Sequence, residues 1–361
     1  MYQTIFLYIT VPIICFVFAR RARLTDDIKW VILIIVILSL LAGLRAETVG
    51  IDTINYTKSF ELIVNDQIYY VWGFENTFKA IMLIISKVFK SYTTFLLIMA
   101  IITNTCIISR FWDFKNISKF EWIIVVYYAV FYFYSFNIVR QMCAVAIIFW
   151  GSRFIEKQRY GLFIVSVLAG YLFHTSALLG LILLFADFLK WNSLKTRQKW
   201  FLGIGVLLSP VFSVYILYKM SRYYDYFSNA HNNIGIMLLG KAVFFILSSW
   251  RLKQSIVKRE TKDISDNYLE LVDNLEYTIS TVEIYYFIGL LLCQLGYLFP
   301  FMERISLYFY IFECVYMGIL MKYRSLKSGY PFVFVLLYGY IIISSLSSGG
   351  QGQMPYLFFW Q

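Results

Sequence analysis

The stretch NIVRQMCAVAIIFWGSRFIEKQRYGLFIVSVLAGYLFHTSALLGL, residues 137–181, contains two apolar runs separated by a short basic turn. Each run is suited to crossing the roughly 30 Å hydrocarbon layer of a membrane, alone or beside a tilted neighbour. The turn carries Arg153, Lys157 and Arg159, and cytoplasmic turns are enriched in such residues. The second run is interrupted by "FHTS", so the sequence predicts two short helices with His174 at the outer turn.

This alternation continues along the 361-residue chain, which is 60% hydrophobic and has a mean hydropathy of +0.68. Such a composition excludes a soluble domain and predicts an all-α polytopic membrane protein with about twelve transmembrane helices. The net charge of +11 does not indicate a nucleic-acid partner, because the basic residues form short clusters between apolar runs. The predicted spans lie near residues 2–19, 28–44, 93–110, 120–136, 138–154, 160–173, 175–189, 200–220, 235–251, 281–299, 305–321 and 330–347.

We treat residues 1–361 as a single integral membrane domain with its N-terminus outside, which places most of the basic clusters inside. Residues 45–92 form a predicted outer loop, in which Phe74–Phe89 is an interfacial or re-entrant helix. Residues 252–280 have apolar positions at helical spacing and predict an amphipathic helix on the cytoplasmic surface. The Ser/Gly/Gln-rich stretch "SSLSSGGQGQMPY" near the C-terminus predicts a flexible outer tail.

The familiar soluble cofactor and metal motifs are missing from the sequence. The five cysteines lie in apolar segments without metal-type spacing, and the chain has no CxxC, GxGxxG, Walker-type or HExxH pattern. We therefore expect neither a cofactor nor a metal.

Four arginines fall at or next to the outer ends of predicted spans, namely Arg45, Arg140, Arg222 and Arg304. A guanidinium at a membrane boundary is costly unless a partner or a wet cavity receives it, and its planar fork suits bidentate contact with phosphate. A substrate that is both phosphorylated and embedded in the membrane would match this arrangement. The alternatives are snorkelling for Arg45, interhelical hydrogen bonding for Arg140 and local pairing with Glu303 for Arg304.

Two further groups of polar residues belong to the same outer side. His174 is followed by Thr175 and Ser176, and its imidazole is suited to accepting a proton from a hydroxyl near neutral pH; a satisfied polar core histidine is the alternative. Asp52 and Tyr56 are spaced to share one helix face, although Asp52 is also a good N-cap.

Two motifs resemble the EpsG family of polysaccharide polymerases. "ETVGIDTINYTKSF" is similar to its VGxDxxxYxxxF signature, and residues 137–181 resemble its pattern of Arg-Gln, a basic inner turn and "FHxSAL". The resemblance implies a Wzy-like or GT-C-like bundle in the bacterial plasma (inner) membrane. It implies a metal-independent glycosyltransferase that polymerises O-antigen, capsule or exopolysaccharide repeat units carried on undecaprenyl pyrophosphate.

The resemblance also suggests roles for individual residues and partners. Arg140 and His174 are the expected catalytic residues, and the expected substrate-binding residues are Arg45, Asp52, Tyr56, Gln141, Arg222 and Arg304. The expected partners are the undecaprenyl-pyrophosphate-linked oligosaccharide and membrane lipids, and a chain-length regulator is left open. The alternatives are a flippase or other transporter of the lipid-linked oligosaccharide, an outer-face ligase, and a lipid-phosphate-sugar glycosyltransferase.

Overall fold

The computed structural model describes residues 2–184, 236–260, 266–296, 300–323, 330–348 and 352–361. Within these ranges the chain is helical and has no strand beyond one isolated bridge between Arg45 and Phe358. It divides into two compact units, Met1–Gly180 with Leu326–Gln361, and Leu181–Ser325.

The first unit contains the following helices: α1 Tyr2–Thr25, α2 Ile28–Gly43, α3 Thr53–Val64, α4 Asn76–Val88, α5 Tyr92–Asp113, α6 Phe120–Val126, α7 Tyr134–Asn137, α8 Val139–Gly151, α9 Arg153–Glu156, α10 Tyr160–Tyr171 and, near the C-terminus, α15 Tyr330–Ser348. Short 3-10 segments occur at Ile68–Tyr70 and Thr175–Leu181, and a π-helical turn at Tyr127–Phe131.

The outward faces of several helices are strongly apolar. Phe6, Ile13 and Val17 on α1 are exposed, as are Ile32 and Val36 on α2. Exposed apolar surface of this extent is typical of helices that face lipid. The chain is therefore consistent with a membrane protein.

Twelve spans are not confirmed. In the described part of the chain, three helices are long and apolar enough to cross a membrane: Thr4–Thr25, Tyr92–Asp113 and Leu275–Leu295. A fourth crossing results if the bent pair Met302–Tyr310 and Phe312–Tyr323 counts as one span. The other predicted spans do not meet this criterion in the described residues, and the one near 200–220 lies outside them.

Two features predicted in the outer loops and turns are present. The helix expected at Phe74–Phe89 is α4, and the break expected at "FHTS" separates α10 from the 3-10 segment Thr175–Leu181. Below them, α3, α4, α5 and α8 share a core that includes Phe60, Phe78, Phe95 and Cys143.

The C-terminal segment differs from the flexible tail that the sequence predicts. Tyr8 Oη donates to Gln353 O at 2.8 Å, Ala46 N donates to Leu357 O at 2.9 Å, and Gly50 N donates to Gly352 O at 2.8 Å. Residues 352–361 are thus tied to α1 and to the loop after α2, because their backbone groups pair there instead of with water.

The second unit contains α11 Ile236–Glu260, α12 Asp266–Leu295, α13 Pro300–Tyr310 and α14 Phe312–Tyr323. Inside it, Lys241 Nζ lies 2.7 Å from Glu313 Oε1 and donates to Tyr310 Oη at 2.7 Å. The amphipathic helix predicted at 252–280 falls on parts of two longer helices. Its described residues are the end of α11 and the first half of α12, because the helical pattern belongs to two longer helices.

Candidate active site

The loop between α2 and α3 is fixed by Arg45 and Gly50. Gly50 has φ +97°, and a Cβ there would meet Thr53 Oγ1 at 2.6 Å and Phe136 O at 2.9 Å. Only glycine fits this combination of left-handed backbone and close approach. The turn brings the loop against the residues that precede α8.

Arg45 lies inside this loop and is 1% exposed. Its guanidinium donates to Ala42 O, to Phe136 O at 3.1 Å and to Val49 O at 3.2 Å, and Cζ lies 4.8 Å from the centre of the Phe136 ring. Burial lowers the pKa of Arg45 to about 10, so the group stays protonated at neutral pH. The donors of Arg45 thus face carbonyls of α2, of its own loop and of α7, so substrate contact by Arg45 stays a prediction.

A cavity of about 340 Å³ opens beside α3. It is lined by Asp52, Asn55, Tyr56, Lys58, Ser59, Leu62, Trp72, Gly73, Phe74 and Arg140. Asp52 occupies the N-cap position of α3, but its side chain makes no capping hydrogen bond. Asp52 and Tyr56 line the same cavity, as their spacing predicts.

Arg140 forms the wall of this cavity at the start of α8. Its Nη1 pairs with Glu75 Oε2, and its Cζ lies 4.4 Å from the centre of the Phe74 ring. Among the described residues, Arg140 Nε is a buried donor without a hydrogen-bond partner. The guanidinium is therefore oriented by the Glu75 carboxylate and the Phe74 ring, and its Cζ also lies 5.8 Å from the centre of the Phe78 ring.

Glu75 connects Arg140 to His174. Its Oε1 accepts from Thr175 N at 3.4 Å and lies 3.8 Å from His174 Nε2. Burial alone raises the pKa of Glu75, but hydrogen bonds from its own backbone and from Thr175, together with the charges of Arg140 and His174, more than offset this and hold the pKa below its ordinary value. Glu75 is thus a carboxylate at neutral pH.

The sequence analysis missed Glu75. Its signal is faint: one acid immediately before a short helix, in "GFEN". Its importance depends on partners 65 and 100 residues away along the chain.

The hydrogen bonds of His174 determine which ring nitrogen carries the proton. Ser176 N donates to His174 Nδ1 at 3.2 Å, and Ser176 Oγ lies 2.8 Å from the same atom. Because Nδ1 accepts the amide hydrogen, the ring proton belongs on Nε2, which faces Glu75. This geometry favours a positioning role for His174 over the proton-accepting role expected from the sequence.

The remaining predicted site residues are Gln141, Arg304 and Arg222. Gln141 is 3% exposed within α8 and is not among the residues that line it. Arg304 is exposed on α13 and belongs to the second unit. Arg222 lies outside the described residues.

Comparison with known families decides the classification. The family model of the EpsG family matches residues 28–358, nearly the whole chain. The chain belongs to the EpsG family. This is the family of Wzy-type polysaccharide polymerases, which suggests a role in polysaccharide polymerisation. The searches of curated proteins and of solved structures each gave no match.

The structure explains why the two EpsG-like motifs occur together. The VGxD turn packs on the residues just before the Arg-Gln pair: Asp52 N donates to Asn137 Oδ1 at 3.2 Å, and Thr53 Oγ1 donates to Phe136 O at 3.0 Å. The "FHTS" stretch contacts the same region, because Thr175 N donates to Glu75, which pairs with Arg140. The two motifs therefore lie next to each other in the fold, linked by Asn137, Phe136 and Glu75.

Proposed function

We propose that this protein is a polymerase that joins undecaprenyl-pyrophosphate-linked oligosaccharide repeat units at the outer face of the bacterial plasma membrane. A hydroxyl of the acceptor unit attacks the anomeric carbon of the lipid-linked chain, and a new glycosidic bond forms. The bond between the anomeric carbon and pyrophosphate breaks, and lipid pyrophosphate leaves with the electron pair.

The observation that supports this proposal is the position of Arg140 at the wall of a polar cavity in an EpsG-family chain. Pyrophosphate is a good leaving group, so catalysis mainly requires a preorganised cation where negative charge develops. Arg140 lines the cavity and is held in place by Glu75 and Phe74, which fits this requirement.

The test measures the length distribution of the glycan in cells that express only one version of this protein: the wild type, Arg140→Ala or His174→Ala. We expect the gel ladder to collapse to single repeat units in Arg140→Ala, with a loss of about 100-fold or more in chain elongation. For His174→Ala we expect a smaller loss, because the histidine acts through its neighbours. Arg20→Ala is the matched control, since Arg20 is exposed and distant in sequence from the site. Membrane abundance of each variant is measured by a tag.

A second assay separates the alternatives. Purified protein in vesicles with lipid-linked repeat units should produce longer glycans. Movement of single units across the vesicle membrane without lengthening would instead indicate a flippase. Transfer to a different lipid or a lipid A-type acceptor would indicate a ligase. Either of these outcomes would contradict the polymerase proposal.

A further inference from the structure

The charges around the cavity are balanced. Its lining carries two cations, Lys58 and Arg140, and one acid, Asp52; a second acid, Glu75, is not among the lining residues but pairs with Arg140. A site that receives a whole pyrophosphate would be expected to have a clear excess of positive charge. The balanced wall instead suits an uncharged ligand with many hydroxyl groups, with the anionic part of the donor at its Arg140 edge.

Trp72 is the most unusual residue of the lining. It is 82% exposed although it is large and apolar, and it is followed by Gly73, where nothing lies within 4 Å of a built Cβ. Tyr69, in the preceding turn, is 87% exposed but does not line the cavity. An exposed indole at the edge of a polar pocket presents a flat apolar face to a ligand while polar groups bind its rim.

Asp52 provides the acceptor group for such a ligand. It is the one acid among the residues that line the cavity, and its side chain does not cap α3. A carboxylate in this position accepts hydrogen bonds from hydroxyl groups. The lone pair of His174 Nδ1 already accepts the Ser176 amide hydrogen, which leaves Asp52 better placed to receive a proton.

We propose that this cavity is the acceptor subsite: an uncharged sugar ring stacks on Trp72, and its attacking hydroxyl donates to Asp52. This rests on the proposed polymerase function. During transfer the hydroxyl oxygen bonds to the anomeric carbon of the donor, its proton passes to the Asp52 carboxylate, and lipid pyrophosphate departs beside Arg140. Asp52 then releases the proton to water.

The first test uses an acceptor that has no donor function. The probe is the repeat unit of the host's own glycan with its reducing end blocked as a methyl glycoside, which carries no pyrophosphate. We expect Trp72→Ala to raise the KM of this acceptor, and its calorimetric Kd, by about 10-fold, while the KM of the lipid-linked donor stays unchanged. Tyr69→Ala is the matched control and should leave all three constants at wild-type values.

The second test separates proton acceptance from binding. Asp52→Asn keeps the size and the hydrogen-bonding capacity of the side chain but is a poor base, so we expect kcat to fall by about 100-fold or more with little change in the acceptor Kd. Asp52→Glu should restore part of kcat. Equal losses in Asp52→Asn and Asp52→Glu, accompanied by lower membrane abundance, would indicate a structural role and overturn the assignment of Asp52.

Failure of this inference can be distinguished from failure of the proposed function. If the wild type lengthens lipid-linked glycans but does not bind the methyl glycoside, or if Trp72→Ala behaves like Tyr69→Ala, the acceptor subsite is wrong and the polymerase proposal stands. A change in donor KM alone would identify the cavity as a donor site. If the wild type forms no longer glycan from lipid-linked units, the polymerase proposal itself fails.

Discussion

Arg45 and Arg140 carry the same functional group in different surroundings. Arg45 is surrounded by carbonyl oxygens of its own loop and of Phe136, so its charge and its donors stabilise the protein. Arg140 faces a carboxylate, an aromatic ring and a cavity, and Nε lacks a partner among the described residues. Removal of Arg45 would leave several carbonyls unsatisfied, whereas removal of Arg140 would affect a ligand in the cavity as well as the ion pair with Glu75.

Glu75 provides a prediction about pH. Its pKa in the folded protein is held below the ordinary value of 4.5, so its contacts stabilise the fold above that pH and lose this contribution as pH falls through the lower, folded-state pKa. We expect Glu75→Gln to reduce the free energy of unfolding by about 2 kcal/mol at pH 7. The difference from wild type should shrink as the pH is lowered below about 4.5.

Thermal unfolding of the purified protein in detergent, at pH values between 3.5 and 7.5, measures this difference. Glu61→Gln is the matched control, because Glu61 is an exposed glutamate on α3 in the same unit. If the difference in stability between wild type and Glu75→Gln is constant over the whole pH range, the assigned ion pair is contradicted.

Sequence reasoning identified Arg140 and His174 but not the residue that joins them. An arginine at a span end is visible because it interrupts an apolar run, and a histidine in "FHTS" is visible for the same reason. Glu75 lies in a polar loop, where an acid is ordinary. Its two partners are brought to it only by the packing of α4, α8 and the end of α10, which no local spacing encodes.

At the scale of elements, interruptions were easier to predict than lengths. The break at His174 and the helix α4 follow from polar residues and short apolar runs, which are local signals. The extents of α11 and α12 do not, because polar residues near the end of a long helix have the same pattern as a separate amphipathic helix. The π-helical turn at Tyr127–Phe131 likewise has no local signature in an apolar aromatic run.

The pairing of α12 with α13 gives a prediction at this scale. A Cβ on Gly289 would lie 2.5 Å from both N and Cα of Tyr310, and backbone atoms cannot move aside cheaply. We expect Gly289→Ala to destabilise the protein by about 2 kcal/mol or more, through forced separation of the two helices. Thermal unfolding and the membrane abundance of the tagged protein measure the effect.

Gly240→Ala is the matched control for this experiment. Gly240 is a helical glycine in α11 with nothing within 4 Å of a built Cβ, so alanine there should be neutral or slightly stabilising through its better helix propensity. If both variants unfold like the wild type, the close contact between α12 and α13 is wrong.

At the scale of the whole molecule, the two ends of the chain meet. Tyr356 Oη donates to Leu41 O at 2.8 Å, Tyr356 N donates to Thr4 Oγ1 at 3.2 Å, and Phe359 N donates to Leu44 O at 2.9 Å. The Ser/Gly/Gln-rich composition predicts flexibility, but Tyr356 is buried, packs against Tyr8 of α1 and donates to α2. The composition of the whole stretch does not reveal that one aromatic residue anchors it, so the expectation of a flexible tail was wrong.

This closure predicts the membrane orientation of the C-terminus. Because residues 352–361 pair with the loop after α2, the C-terminus and the α3 region must lie on the same side of the membrane, and the basic turn after α9 on the other. We therefore expect Gln67→Cys and Gln361→Cys to react with a membrane-impermeant maleimide in intact cells or spheroplasts. Lys157→Cys, at an exposed position of the inner turn, should react only after permeabilisation.

The wild-type chain, with its five native cysteines in apolar segments, sets the background of this labelling. Opposite accessibility of Gln67→Cys and Gln361→Cys would contradict the packing of the C-terminal segment. Shared accessibility from the cytoplasm would leave that packing intact but would place the cavity on the inner face. An inner cavity is incompatible with polymerisation at the outer face, so the same three variants test the fold and the direction in which the site opens.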